Sequence, residues 1–287
     1  MINRISIGSA QFGLDYGINN QKGKVTSLEV SEILNYSIKN GVTFIDTASS
    51  YGNSEKVLGA QNLVFKKEFS IVSKIAKINL APIDAINKSL NNLNLKKIYG
   101  LLAHDFSIVT NHLDFYLEMI KLKEIGLVEK VGVSIYHLKE LNYLIEKEIP
   151  FDLVQIPYSV LDQRFHEVLP KLKEMRVEVH TRSSFLQGLI FMNPKALNES
   201  FNSAKESIIE LKTLSRKINV PISSIALIFA LLNPNIDKVI IGVDSKEQLE
   251  ENLNGLFFSD LVKENYKFLK NLNIDDEQVL LPYNWKK

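Results

Sequence analysis

Cysteine is absent from all 287 residues, which excludes disulfides, a thiol nucleophile and any thiolate metal site. The five histidines, His104, His112, His137, His166 and His180, show no ligand-type spacing, so no metal is expected. A surplus of either charge is missing too. With 34 Lys and Arg against 33 Asp and Glu the formal net charge is +1, which gives no footprint for nucleic acid or an anionic membrane. Long apolar runs are also lacking. The longest, 225–232, is too short to span a bilayer. The opening Met1-Ile-Asn-Arg-Ile-Ser-Ile-Gly8 has no basic stretch followed by an apolar core, so no secretory signal is expected. These absences point to a soluble cytoplasmic protein. One phosphate-loop lookalike fails as well: in Gly17…Gly23-Lys24 five residues separate the glycines, and Val25 stands where a hydroxyl is required.

What is present is a regular alternation of short apolar runs and amphipathic stretches. Strands are expected at 5–8, 42–46, 69–74, 98–104, 131–135, 153–158, 177–181 and 238–243. Helical spacing marks 29–39, 85–93, 113–123, 138–146, 164–173 and 207–217 between them. Strict alternation implies right-handed βαβ units and a parallel sheet. Eight units at this length suit a closed (β/α)8 TIM barrel with its site at the C-terminal face, with an open doubly wound sheet as the competitor. No linker or low-complexity block divides the chain, so 1–287 is read as one domain. A polar insertion around 188–202 and an extra helix at 222–232 precede the last strand.

Polar residues recur where successive strands end. The second strand ends at Asp46, the third at Lys74 and the fourth at His104, and Tyr51 lies in a short loop after Asp46. In a barrel these meet on one rim. Taken singly, each has a plain structural explanation; four titratable groups at adjacent strand ends are hard to explain by packing alone. The run Asp46-Thr-Ala-Ser-Ser-Tyr51-Gly-Asn-Ser54-Glu55-Lys-Val-Leu58-Gly59 closely resembles the signature of the aldo-keto reductases, and the likeness extends over essentially the whole chain.

That resemblance implies reduction of an aldehyde or ketone, sugar-derived in one reading, with NADPH or NADH as cofactor and a small carbonyl compound as substrate. Asp46, Tyr51, Lys74 and His104 match the family's catalytic set, with Tyr51 as general acid. A lysine ammonium beside a phenol favours phenolate, so Lys74 is expected to lower the Tyr51 pKa while Asp46 holds Lys74 charged. His104 would orient the substrate oxygen or serve in the proton relay. The cofactor cradle carries over as Gln11 and Phe12 in the first turn, then Ser134 and Gln155 at the nicotinamide carboxamide. Ile135 replaces the asparagine usual beside that serine. Arg182 stands where many members stack an aromatic on the nicotinamide. Ser183, Leu186 and Gly188 match the loop over the pyrophosphate. Gly242, Asp244, Ser245, Gln248, Glu251 and Asn252 match the adenosine end. Asp244, offset by Ser245 and Lys246, leads us to expect little discrimination between NADPH and NADH. Tyr283 and Trp285 are candidate lid aromatics. Two other functions remain open from sequence: a cofactor-binding regulatory subunit on the same fold with little turnover, and a barrel isomerase or lyase without nicotinamide.

Overall fold

In the computed structural model, which describes residues 1–18, 20, 22–62 and 68–285, eight parallel strands close on themselves in chain order. They are β1 (Ile5–Gly8), β2 (Phe44–Asp46), β3 (Ser70–Ile75), β4 (Ile98–Ala103), β5 (Val128–Ser134), β6 (Leu153–Pro157), β7 (Glu178–Arg182) and β8 (Lys238–Gly242). The seam pairs Ile5 with Val239 and Gly8 with Gly242. The open-sheet alternative is thereby excluded and the (β/α)8 barrel stands.

Local signals set the helix starts. The helix Ser27–Lys39 begins two residues earlier than its apolar spacing suggested because Thr26 caps it. Thr26 Oγ1 accepts the Glu29 N–H at 3.3 Å, and Glu29 Oε2 accepts the Thr26 N–H at 2.9 Å, a reciprocal capping box. Pro82 opens the helix Pro82–Leu93, and Asn94 ends it in the left-handed region. The helix Ile222–Leu232 is apolar nearly all round, and Ile225, Leu227 and Phe229 are wholly buried in the core. Among the described residues no single helix is long and apolar enough to cross a membrane. The insertion after β7 folds as short 3-10 turns at Leu186–Phe191, Pro194–Ala196 and Glu199–Phe201.

Register layers the barrel interior. Asp46 pairs with Val72, and Lys74 with Leu102; paired residues share a face and residues two apart return to it. Val72, Leu102 and Leu153 form an apolar plug at mid-height. Asp46, Lys74 and Gln155 lie above it, at the strands' C-terminal ends. Below it sits a second polar cluster around Glu178, which accepts from Tyr99 Oη at 2.5 Å and from Lys130, and bonds His180 Nε2 at 2.6 Å.

Burial alone would raise the Glu178 pKa. The bonds from His180, Lys130 and Tyr99 outweigh it and hold the carboxyl at about 2. A pKa below the unfolded value contributes stability that is full above about pH 4.5 and is lost as pH falls toward 2. Glu178→Gln should cost about 1–3 kcal/mol at pH 7, the scale of losing a buried charged partner. Denaturant titrations of both proteins check this: the gap should shrink between pH 4.5 and 2, and a gap independent of pH contradicts the assignment.

Candidate active site

The loop after β2 is fixed from both sides. The Thr47 N–H donates to Val72 O at 2.8 Å, and Ser49 donates to Lys74 O through its N–H at 3.0 Å and its hydroxyl at 2.9 Å. From the other side the turn after β1 presses against it. A Cβ on Gly13 would lie 1.9 Å from Tyr51 O, and one on Gly52 would lie 2.2 Å from Gly13 O. Gly52 also has φ +55, where a side chain is strained. Ser54, which looks like a helix cap in sequence, instead donates its hydroxyl to Ser9 O at 2.9 Å. Glu55 is buried, accepting from Ser73 at 2.8 Å and Asn92 at 3.1 Å. Both residues are scaffold that holds the Tyr51 loop in place.

Inside this frame, Lys74 is completely buried and donates to Asp46 Oδ2 at 2.6 Å, Thr47 O at 3.0 Å and Tyr51 Oη at 3.4 Å. The other Asp46 oxygen, Oδ1, accepts from Gln155 Nε2 at 2.6 Å. The His104 ring packs edge-on to Tyr51, centroids 5.6 Å apart. Its Nδ1 lies 3.0 Å from Ser50 Oγ; with Ser50 as donor the ring proton sits on Nε2.

The electrostatics differ from the sequence expectation. Burial first, and Asp46 second, raise the Tyr51 pKa, with Arg182 opposing. Lys74, 3.4 Å from the phenol, does not outweigh them, because its charge is shared with Asp46 at 2.6 Å. Burial lowers the Lys74 pKa and Asp46 opposes that shift. Burial, then Lys74 and Arg182, push His104 down to about 3, so the ring is neutral near pH 7. The phenol keeps its proton and the imidazole offers an N–H.

These groups occupy one end of a cleft of about 410 Å³. Arg182 lines it beside them, Gln11, Ser134, Gln155, Ser183 and Gly188 line its middle, and Gly242, Asp244, Gln248, Glu251 and Asn252 its far end. Lys74 stands behind Asp46 and Tyr51. Phe12, Leu186 and Ser245, expected at the cofactor, do not line the cleft. Phe12 and Leu186 are fully buried in the apolar core, and Ser245 caps the helix Lys246–Asn254 by accepting the Gln248 N–H at 3.3 Å. Lys246 turns toward Glu250, 4.0 Å away, and the Tyr36 ring, so it does not offset Asp244. Trp285 is no lid: it packs on Phe201 and donates to Val279 O at 2.9 Å. Tyr283 does reach the rim, edge-on to Tyr136.

Sequence reasoning missed Tyr16, Tyr136, Ser184 and Gln187, which also line the cleft. Tyr136 was findable, two residues past the β5 end; Tyr16 and Gln187 lie in loops without a local signal. The Ile18 N–H donates to Gln187 O at 3.1 Å, joining the loop after β1 to the one after β7. That second loop has φ > 0 at Ser183, Leu186, Gln187 and Gly188, conformations sustained only where surroundings fix them.

Three buried polar atoms on this wall have no partner among the described residues: Gln155 Oε1, Ser184 Oγ and Asp244 Oδ1. They are spread from the β6 end to the β8 end, as a long polar ligand requires. At the β8 end, a Cβ on Gly242 would collide with the Gln11 amide at 2.3 Å, so that amide packs directly on the backbone there. The residues present therefore fit a nicotinamide dinucleotide. Among the described residues no cluster of His, Asp or Glu could hold a metal ion.

Comparison with known proteins agrees with this architecture. The sequence model of the aldo/keto reductase family matches residues 4–274. The chain is 26% identical to L-galactose dehydrogenase of Arabidopsis thaliana over 239 residues, 74% of this chain and 73% of that protein. It is 24% identical to the uncharacterized oxidoreductase YqkF of Bacillus subtilis over 267 residues, 83% and 85% of the two. The aldo-keto reductase AKR11C1 of Bacillus halodurans, in its holo form, superposes with a TM-score of 0.76 at 18% identity, covering 95% of this chain and 93% of that one, a likeness of fold. A closed barrel, the buried Asp46–Lys74 pair beside Tyr51 and a family match over nearly the whole length together make this chain a member of the aldo/keto reductase family.

Proposed function

We propose that this protein reduces an aldehyde or ketone to the alcohol with NADH or NADPH, Tyr51 supplying the proton. The observation that carries this reading is the buried Lys74 ammonium, held by Asp46 within hydrogen-bonding reach of Tyr51 Oη at the mouth of a long polar cleft. The nicotinamide, when bound, supplies the hydride. Ser134 and Gln155 would hold its carboxamide, the free Gln155 Oε1 accepting an amide N–H. The neutral His104 donates Nε2–H to the substrate oxygen and aims it. Tyr51 Oη–H gives its proton to the oxygen as negative charge develops there, and the nearby Lys74 ammonium stabilises the phenolate that remains. A phenol whose pKa is raised at rest stays protonated until that charge appears.

Tyr51→Phe should lower kcat by about 10²-fold or more, the scale of general acid catalysis, with cofactor still bound. Steady-state turnover of 4-nitrobenzaldehyde and a fluorescence titration check the two halves. Near wild-type turnover contradicts the role.

At the far end of the cleft, Asp244 favours NADH. Among the described residues its Oδ1 is unpartnered, its own N–H is taken by Gln248 Oε1 at 2.8 Å, and no ammonium lies within ion-pair distance, Lys22 acting on it only from farther away. Burial raises the Asp244 pKa, which tempers its repulsion. A carboxylate about 4 Å from a 2′-phosphate costs between about 1 and 4 kcal/mol across effective dielectrics of 80 to 20, whereas it can accept from a ribose hydroxyl. The near-equal use of both cofactors expected from sequence depended on Ser245 and Lys246; Ser245 caps a helix and Lys246 faces Glu250. NADH should bind several-fold more tightly than NADPH, and Asp244→Ser should shift the ratio toward NADPH by about tenfold, or 1.4 kcal/mol. Fluorescence titrations with both cofactors measure this; a hundredfold wild-type preference for NADPH contradicts it.

A further inference from the structure

Arg182, at the end of β7, brings a cation into the catalytic end of the cleft, with no counter-ion among the described residues. Its guanidinium lies 3.9 Å over the Tyr136 ring. Nη2 donates to Ile135 O at 3.1 Å and Nη1 to Ser183 Oγ at 3.5 Å. A guanidinium carries five N–H donors, and the remaining ones have no acceptor among the described residues. The carboxylates on the cleft wall are Asp46, Asp244 and Glu251. Both Asp46 oxygens are taken, by Lys74 and by Gln155. Asp244 and Glu251 belong to the β8 end. None of the three forms an ion pair with Arg182, and Asp105, which acts on His104 from the next position, does not line the cleft. The cation is also close enough to Tyr51, Lys74 and His104 to bias all three.

Two aromatic neighbours shape what it can hold. Tyr136 covers one face of the guanidinium, and stacking leaves the N–H edges free to form a fork. Tyr16 lines the same cleft and feels the same charge. A planar, half-buried fork with unused edges pairs best with an oxyanion, by parallel charge-assisted hydrogen bonds.

Building on the carbonyl-reduction reading, we infer that the substrate is an acidic carbonyl compound, its carboxylate or phosphate held by Arg182 while its carbonyl oxygen meets Tyr51 and His104. The chemistry of the step is unchanged: hydride adds to the carbonyl carbon, the Tyr51 proton to the oxygen, and the anion takes no part.

The test compares 4-carboxybenzaldehyde with its methyl ester, which keeps the ring and removes the charge; the ester's aldehyde carbonyl is the more electron-poor, so intrinsic reactivity works against the expected preference. A second pair, glyceraldehyde 3-phosphate against glyceraldehyde, separates phosphate from carboxylate as the preferred anion. The wild-type kcat/KM should favour one charged member by at least about tenfold, mostly through KM. Arg182→Met should collapse that ratio to near unity, and Arg182→Lys should restore part of it by returning the charge without the fork. Calorimetric titration of the NADH-loaded protein with terephthalate, which has the anion and no reducible carbonyl, reads the same contact without turnover; heat should be lost in Arg182→Met. Equal wild-type rates within each pair, or a ratio unaltered in Arg182→Met, overturn the inference and leave carbonyl reduction standing. If Arg182→Met instead weakens NADH binding and both members of a pair alike, Arg182 serves the cofactor and the inference is wrong. If none of the four aldehydes is reduced although NADH binds, the carbonyl-reduction reading fails, and this one with it.

Discussion

The C-terminal rim of this barrel is organised around an ammonium that water does not reach. Lys74 is wholly buried and Asp46 almost so. A lone charge in that position would shed its proton, and removing one member of a buried pair typically costs about 3–5 kcal/mol. The pair therefore constrains its surroundings. Asp46 uses its second oxygen on Gln155, across the barrel on β6. Lys74 uses further donors on Thr47 O and Tyr51 Oη. One ion pair thus links three strands and the loop that carries the phenol, and it sits on the apolar plug of Val72, Leu102 and Leu153.

The same pairing explains why the phenol is not activated at rest. With Asp46 at 2.6 Å the pull of the ammonium on Tyr51 is partly offset, and burial dominates at rest. Charge is asymmetric along the cleft. Its catalytic end carries the unmatched Arg182, and its β8 end carries Asp244 and Glu251. A ligand that spans the two would meet a cation beside its reacting part and carboxylates at the other end.

Much of this was legible in sequence because the relevant physics is local. Each of the eight strands announces itself by an apolar run, and the polar residue at its end falls on the rim by topology alone. Asp46, Tyr51, Lys74 and His104 were readable for that reason. The start of Ser27–Lys39 was readable too, had Thr26 and Glu29 been taken as a capping box. Tertiary choices were not legible. The hydroxyl of Ser54, the first residue of its helix, bonds to Ser9 in the turn after β1, a partner no local spacing reveals. Phe12 occupies a cofactor-like motif position, yet its ring is in the core. Whether Lys246 would meet Asp244 or Glu250 depended on side-chain direction at a helix start. The sign of the Tyr51 shift depended on burial, which no spacing reveals.

The central claim, hydride transfer to a carbonyl at this rim, is tested most directly by following the label. The protein would be given an aldehyde with NADH or NADPH deuterated at one or the other C4 position, and the alcohol read by mass spectrometry and proton NMR. The account predicts a single deuterium on the carbinol carbon, from one of the two C4 positions only and with none from solvent. A carbinol deuterium acquired from heavy water, with none from either labelled cofactor, would contradict it.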